Sequence, residues 1–136
     1  FGDIDHDQVV PVAVANQDVR SLLAKLHQEG ERYGLAIVDP PKLAPSLRHL
    51  RRATAAYRRL NARVFSLMED GAIVATCSCS SAMRPPEFLR TIALAGTDAN
   101  RRIRLLHLGQ QGMDHPVPAA FPEGRYLKCA LVEVNS

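Results

Sequence analysis

Cys77 and Cys79, two cysteines one residue apart, are the side chains of this sequence best suited to chemistry. They lie in "VATCSCSSAM", directly after an apolar run that is typical of a buried strand. The pair could be half of a zinc site, two inert buried thiols, or a nucleophile beside a bystander. A zinc site needs further ligands, and only Cys129 and five scattered histidines are available, so the spacing does not favour a metal.

A second candidate segment is "DPPK", which runs from Asp39 to Lys42 at the end of another predicted strand. Pro40 and Pro41 lack amide hydrogens and stiffen the chain, which leaves their carbonyl groups free beside the Asp39 carboxylate. A rigid carbonyl beside a carboxylate can bind the amino group and ring nitrogen of a flat base. The simpler interpretation is a strand terminator with a solvated aspartate.

Both segments follow predicted strands, and ligands in open α/β sheets bind beyond the carboxyl ends of the strands. If the two strands are neighbours, the segments share one crevice, and we expect a functional site there. Asp114 and His115, in a long proline-rich loop, could act as a general base, although such residues more often cap turns.

The chain has 136 residues, enough for one compact domain, with a net charge of +3 and a pI of about 9.0. Arginines concentrate in "RHLRRATAAYRRLNAR" and "NRRIR", which indicates either phosphate contacts or a solvated helix face. Three cysteines at irregular spacing argue against a disulfide framework. Without an apolar run long enough for a membrane helix, or a secretory leader, we expect a cytoplasmic protein with no membrane partner.

Predicted strands and helices alternate along most of the chain, which favours a largely parallel α/β sheet. Asp18 should cap the first helix and Ser46 the second, and the last two strands, which lack an intervening helix, should pair antiparallel. The predicted elements are a strand at 9–16, a helix from 18 to 30, a strand at 33–39, a helix at 46–67, a strand at 69–78, a helix at 85–99, and strands at 101–109 and 125–134.

Three blocks in this order resemble the RlmI-like methyltransferases: "LAIVDPPKLAPS", "YRRLNARVFSLMEDGAIVATCSCSSAM" and "DHPVPAAFPEGRYLKC". This family uses S-adenosylmethionine to form 5-methylcytosine in large-subunit ribosomal RNA. The resemblance implies a partial class I methyltransferase Rossmann-like fold, with a mostly parallel sheet, a C-terminal antiparallel strand pair and helices on both faces.

The resemblance also implies roles for individual residues. Cys79, with Ser80 and Met83, matches the family's cysteine motif and is the implied nucleophile, whereas Cys77 matches less well. Asp39, if buried, would be the proton donor to the base, which Pro40, Pro41 and Lys42 would help to hold. Asp18 and Asp39 would contact the cofactor, and Asp18 would do so at the adenine ring.

The sequence departs from the family at the cofactor's glycine-rich turn and at the N-terminal RNA-binding domain, neither of which is recognisable in the 136 residues. We therefore expect residues 1–136 to be the C-terminal part of a methyltransferase domain, with an exposed sheet edge that favours self-association. Two other functions stay open. One is methylation of an amino or ring nitrogen, which needs no cysteine; the other is a non-catalytic fragment that does not bind the cofactor alone.

Overall fold

The chain folds into three α-helices and one four-stranded sheet in a computed structural model that describes residues 12–43 and 46–136. Two short 3₁₀ helices, Leu47–His49 and Pro122–Gly124, lie in the connections. The main elements are α1 (Val19–Gln28), β1 (Tyr33–Val38), α2 (Leu50–Ser66), β2 (Met68–Ser78), α3 (Pro85–Asp98), β3 (Arg102–Gly109) and β4 (Lys128–Asn135).

Local sequence explains where most helices begin. The Asp18 carboxylate accepts hydrogen bonds from the backbone N–H groups of Arg20 and Ser21, at 3.0 and 3.3 Å, and so caps α1 as predicted. Prolines occupy the first positions of α3, where the missing amide hydrogens cost nothing. The predicted cap of α2 was wrong: Ser46 precedes a 3₁₀ turn and contacts His49 Nδ1 at 2.9 Å, so α2 begins only at Leu50.

The strand order in the sheet is β1-β2-β4-β3. β1 runs parallel to β2, whereas β4 lies between β2 and β3 and is antiparallel to both. The α/β class and the antiparallel pairing of the last two strands are therefore confirmed. The expected mostly parallel sheet differs from the observed one, because insertion of β4 leaves one parallel pair among the described strands.

The strand predicted at 9–16 is the largest difference from the sequence-based expectation. Residues 12–16 are described and contain no strand, while 9–11 lie outside the described residues. Val12 and Val14 are 86% and 91% exposed, so their β-branched side chains find no sheet to pair with among the described residues.

The core lies between one face of the sheet and the helices, and it includes the fully buried side chains of Tyr57, Phe65 and Phe88. The helices pack side by side, α1 on α2 and α2 on α3. The opposite face of β2 and β4 is only half-buried, and Leu35 and Ile37 of β1 are 63% and 73% exposed. Helices on both faces were expected; in the described part of the chain they cover one.

Gly96 in α3 sets the distance between this helix and β3. A β-carbon at this position would lie 2.3 Å from Ile103 Cγ1 and 3.0 Å from the Arg101 carbonyl oxygen. Only glycine allows this close approach. None of the described helices is long and apolar enough to span a membrane.

Candidate functional site

The parallel pairing of β1 and β2 brings the two candidate segments together. Val38, the last residue of β1, pairs with Thr76, so "DPPK" and "CSC" leave the same edge of the sheet side by side. Asp39 lies near enough to Cys77 for its charge to contribute to the raised pKa of that thiol. The structure therefore places the two segments at the same ends of neighbouring strands, as the order of elements predicted.

Cys77 is part of β2 and lies opposite Cys129 of β4. Burial raises the pKa of the Cys77 thiol to about 12, with smaller contributions from its hydrogen bond to Cys129 and from the Asp39 charge. A thiol with this pKa is almost entirely un-ionised at neutral pH and is a poor nucleophile. The geometry thus favours a bystander role for Cys77.

Cys79 lies one residue beyond the end of β2 and is partly exposed. The turn that carries it is held from both sides of the cysteine, since Ser80 N–H donates to Ser78 Oγ at 3.3 Å and Met83 N–H donates to the Ser80 carbonyl at 3.2 Å. The Tyr57 hydroxyl, fully buried, lies 3.3 Å from Ser80 Oγ. An accessible thiol on a fixed turn has the placement that a nucleophile requires.

Lys128 is the site residue that the sequence reasoning missed. It begins β4, is 4% exposed, and its Nζ donates to the carbonyl oxygens of Ser80 and Met83 at 2.7 and 2.6 Å. Burial lowers the pKa of its ammonium group, and an ionised Cys79 would act in the opposite direction. Alternation along β4 could have indicated this burial, because Lys128 falls in phase with Ala130, the first of the inward-facing apolar residues of that strand.

The "DPPK" segment lies at the mouth of an apolar cleft of about 370 Å³. Asp39, Pro41 and Lys42 are exposed and Pro40 is half-buried. A proton-donating role for Asp39 requires that its carboxyl group be buried. The described residues leave it exposed. The cleft lies between α1, β1 and α2, and its walls include Val19, Leu23, Ala36, Leu60 and Val64.

Asp18 lies next to this cleft, because its neighbour Val19 forms part of the wall together with Asp39 and Pro40. Hydrogen bonds from the Arg20 side chain and from Ser21 N–H hold the pKa of the Asp18 carboxyl below its usual value. Asp39 thus lines the cleft, whereas the Asp18 carboxylate bonds to Arg20 and Ser21 as a helix cap and reaches the cleft only through its neighbour Val19.

Asp114 and His115 do not join this site. Their side chains form an exposed pair, with Asp114 Oδ2 3.0 Å from His115 Nδ1, within their own loop. Among the described residues, no group of three or more His, Cys, Asp or Glu side chains is arranged to hold a metal ion.

Known proteins share both the sequence and the fold of this chain, although no protein-family profile matches it. It is 36% identical over 133 residues to Ribosomal RNA large subunit methyltransferase I of Aeromonas salmonicida, covering 98% of this chain and 32% of that protein. It is also 38% identical to each of the proteins of the same name from Vibrio vulnificus and Cronobacter sakazakii. These matches cover 83% and 82% of this chain, respectively, and 28% of each relative.

Two solved structures show the same fold at 18% sequence identity, each with a TM-score of 0.70. One is of a protein described as a methyltransferase complexed with SAH, of which this chain covers 30%; the other is of a SAM-dependent methyltransferase, also so described, from Streptococcus mutans, of which it covers 29%. Each match covers 86% of this chain.

The fold is therefore that of part of a SAM-dependent methyltransferase. The predicted resemblance is confirmed: in sequence, the chain is related to the RlmI-like ribosomal RNA methyltransferases. It spans about 30% of the length of the relatives it matches.

Proposed function

We propose that this chain contributes the catalytic cysteine of an S-adenosylmethionine-dependent methyltransferase that forms 5-methylcytosine in large-subunit ribosomal RNA. The observation that carries the proposal is the partly exposed Cys79 beyond the end of β2, beside the "DPPK" segment at the end of β1. Residues 1–136 correspond to the C-terminal part of the methyltransferase domain in this proposal. Sequence similarity to proteins named Ribosomal RNA large subunit methyltransferase I supports methyl transfer to large-subunit ribosomal RNA.

Cytosine C5 is too weak a nucleophile to take a methyl group unaided. The Cys79 thiolate adds to C6, which moves an electron pair toward C5 and N3. C5 would then take the methyl group as the bond from that carbon to the donor's sulfonium sulfur breaks, leaving a neutral thioether. Loss of the C5 proton to a base and elimination of the thiolate restore the aromatic ring and the free cysteine. The target base must leave its stack to reach the crevice.

The "DPPK" segment would hold the base during these steps. Asp39 would donate to N3, where negative charge develops, and the Pro40 carbonyl would accept from the exocyclic amine. Pro41 keeps this carbonyl in a fixed direction, and Lys42 is exposed at the same edge, where it could contact RNA. Asp39 is exposed in the chain alone, so the bound base itself must supply the burial that keeps a proton on its carboxyl group.

S-adenosylmethionine would supply the methyl group as an activated sulfonium. The apolar walls of the cleft, with Asp39 among its lining residues, support a site for the adenine end of this cofactor. Val19 and Leu23 of α1 would contact the flat ring. The sequence contains no glycine-rich turn of the G-x-G-x-x-G kind to bind the rest of the cofactor.

Ribosomal RNA is the proposed partner, and the cytoplasm the proposed location. Exposed arginines on α2 are available for phosphate contacts, among them Arg51, Arg52, Arg59 and Arg63. Arg59 and Arg63 line a second cleft that also includes Pro40, which places positive charge next to the proposed base site. We also propose that the isolated chain self-associates through the exposed edge of β1.

Substitution of the cysteines tests the mechanism. Cys79→Ala in the full-length protein should abolish methyl transfer and leave cofactor affinity within about twofold, because the thiol acts on the base only. Cys77→Ala is the matched control and should retain most of the activity. Full activity of the Cys79→Ala variant would refute the assignment.

Methylation of an amino or ring nitrogen is the second candidate, favoured by the exposed Asp39 and the free proline carbonyls of "DPPK". RNA containing 5-fluorocytidine distinguishes the two reactions. Fluorine at C5 cannot leave as a proton does, so a Cys79 adduct would stall as a covalent protein–RNA complex. A nitrogen methyltransferase would form no such complex.

A further inference from the structure

A lysine at an inward-facing position of a sheet is rare, because burial of an ammonium group without compensation is costly. Lys128 occupies such a position and is 4% exposed. Ala130, two residues later on the same face, is fully buried. An apolar residue would satisfy the fold at this point, so the lysine calls for an explanation in the contacts that it makes.

Those contacts lie on the turn that carries Cys79. The Lys128 Nζ donates to the carbonyl oxygens of Ser80 and Met83, at 2.7 and 2.6 Å. Ser80 directly follows Cys79, so the ammonium group fixes the backbone next to the proposed nucleophile. Charged donors form stronger hydrogen bonds than neutral ones, which stiffens this turn.

The ammonium and the thiol are also coupled electrostatically. Burial lowers the pKa of Lys128, and the negative charge of an ionised Cys79 favours the ammonium form. A positive charge held on the turn that carries Cys79 favours a negative charge on the neighbouring sulfur. Two other groups, Asp39 and Cys129, act on Cys77 of this motif. Both are acidic and raise the pKa of that thiol, so they oppose the thiolate form of Cys77.

We propose that Lys128 is a positioning residue of the methyl-transfer reaction, which holds the turn of Cys79 and stabilises its thiolate form through a retained positive charge. The inference rests on the proposed function of Cys79 as the nucleophile. Lys128 keeps its proton throughout and touches neither the base nor the methyl donor. Its contribution acts entirely through the turn and the sulfur atom.

Three substitutions separate charge from hydrogen bonding. Lys128→Gln removes the charge but keeps two N–H donors for the two carbonyl groups, whereas Lys128→Arg keeps the charge and Lys128→Met removes both. The rate of Cys79 alkylation by iodoacetamide is measured against pH in the full-length protein, with each modified cysteine assigned by peptide mass spectrometry. Circular dichroism reports whether each variant is folded.

We expect the Gln variant to need a higher pH for the same Cys79 alkylation rate, with a loss of about tenfold at pH 7, which corresponds to about 1.4 kcal/mol. The Arg variant should restore the rate, and labelling of Cys77 should not change. Methyl-transfer kcat should fall in parallel while KM for RNA stays constant. If the Lys128→Met variant fails to fold, the Lys128→Gln variant still tests the role of the charge.

A wild-type alkylation profile in the folded Gln variant would overturn the inference, as would loss of folding in all three variants. Alkylation needs neither RNA nor a methyl donor, so this test is separate from that of the proposed function. A shifted profile combined with an active Cys79→Ala variant would leave the Lys128–Cys79 coupling intact and refute only the role of Cys79 in catalysis.

Discussion

At the scale of single residues, the two cysteines of one short motif differ because one lies within a strand and the other beyond it. Cys77 lies opposite Cys129 in the hydrogen-bonded pair of β2 and β4. Burial raises the pKa of its thiol and so suppresses ionisation. Cys79 has left the ladder, so its sulfur is reachable and its turn is held by side chains from α2 and β4. The two thiols, two positions apart and both partly buried, thus differ in their place relative to the strand and not in their exposure class.

This difference predicts selective chemical labelling. At pH 8, a thiol with a pKa of about 12 is ionised in roughly one molecule in 10⁴. We therefore expect iodoacetamide to modify Cys79 while Cys77 stays unmodified over the same period, as measured by peptide mass spectrometry. Labelling in 6 M urea, where both thiols should react alike, is the control. Equal rates in the folded protein would contradict the proposed environment of Cys77.

The residues of the site were predictable to different degrees. "DPPK" and Cys79 follow from strand ends and motif order, because parallel neighbours share an edge and that relation depends only on chain order. Lys128 was missed, since its contacts join residues 48 positions apart and no local pattern encodes them. Alternation along β4 indicates that it points inward, but not what it meets there.

At the scale of elements, an ion pair links α2 and α3. Arg58 Nε and Nη2 donate to the two carboxylate oxygens of Asp98, both at 2.6 Å. This bidentate contact lowers the pKa of Asp98, so the pair stabilises the fold above the unfolded value near 3.8 and is lost as pH falls through the lower folded value. Half-exposure of both side chains keeps the contribution small.

Removal of this carboxylate should therefore reduce the sensitivity of the fold to acid. We expect Asp98→Asn to be less stable than wild type at pH 7, with a smaller further loss between pH 5 and pH 3. The free energy of unfolding in urea at each pH measures this. Glu123→Gln, an exposed acid in the loop before β4, is the matched control and should follow the wild type. Identical pH profiles for Asp98→Asn and wild type would rule out the linkage.

The contact between α3 and β3 gives a second prediction at this scale. Gly96→Ala should destabilise the protein by about 1–3 kcal/mol, because the added methyl group would collide with Ile103. Ile103→Ala combined with Gly96→Ala should cost less than the sum of the two single substitutions, because Ile103→Ala removes Cγ1, the atom that would clash first. Urea denaturation measures both. A Gly96→Ala variant as stable as wild type would show that the two elements can separate without cost.

Most helices and strands were predictable because their apolar periodicity matches the side of the core that they face. α3, β2 and the final two strands lie close to their predicted ranges. The strand predicted at 9–16 was wrong over its described part, where β-branched residues have no neighbouring strand to pair with. Local preference for extended structure is insufficient when the pairing partner is missing among the described residues.

At the scale of the whole molecule, the described sheet has two edge strands, β1 and β3, and β1 is the one that runs parallel to its neighbour. The edge strand β1 exposes Leu35 and Ile37, and the parallel edge beside them is not covered by any described element. Unpaired edges of this kind tend to pair with other chains.

Self-association of the isolated chain should therefore depend on β1. We expect sedimentation velocity to show concentration-dependent oligomers, and Leu35→Lys with Ile37→Lys to shift the chain to monomer without loss of secondary structure. Arg102→Lys on the opposite edge strand is the control and should leave association unchanged. A wild-type chain that sediments as a monomer at all concentrations would refute self-association.

The position of β4 has a consequence for synthesis on the ribosome. β4 lies between β2 and β3 and pairs with both of them. Of the described strands, it is nevertheless the last to be translated. A nascent chain that stops before residue 128 can pair only β1 with β2 among the described strands. The apolar surface that β4 would cover stays exposed to water. Native contacts of the described strands thus arrive together, after translation of β4, and removal of residues 128–136 should break the sheet in its middle rather than trim its edge.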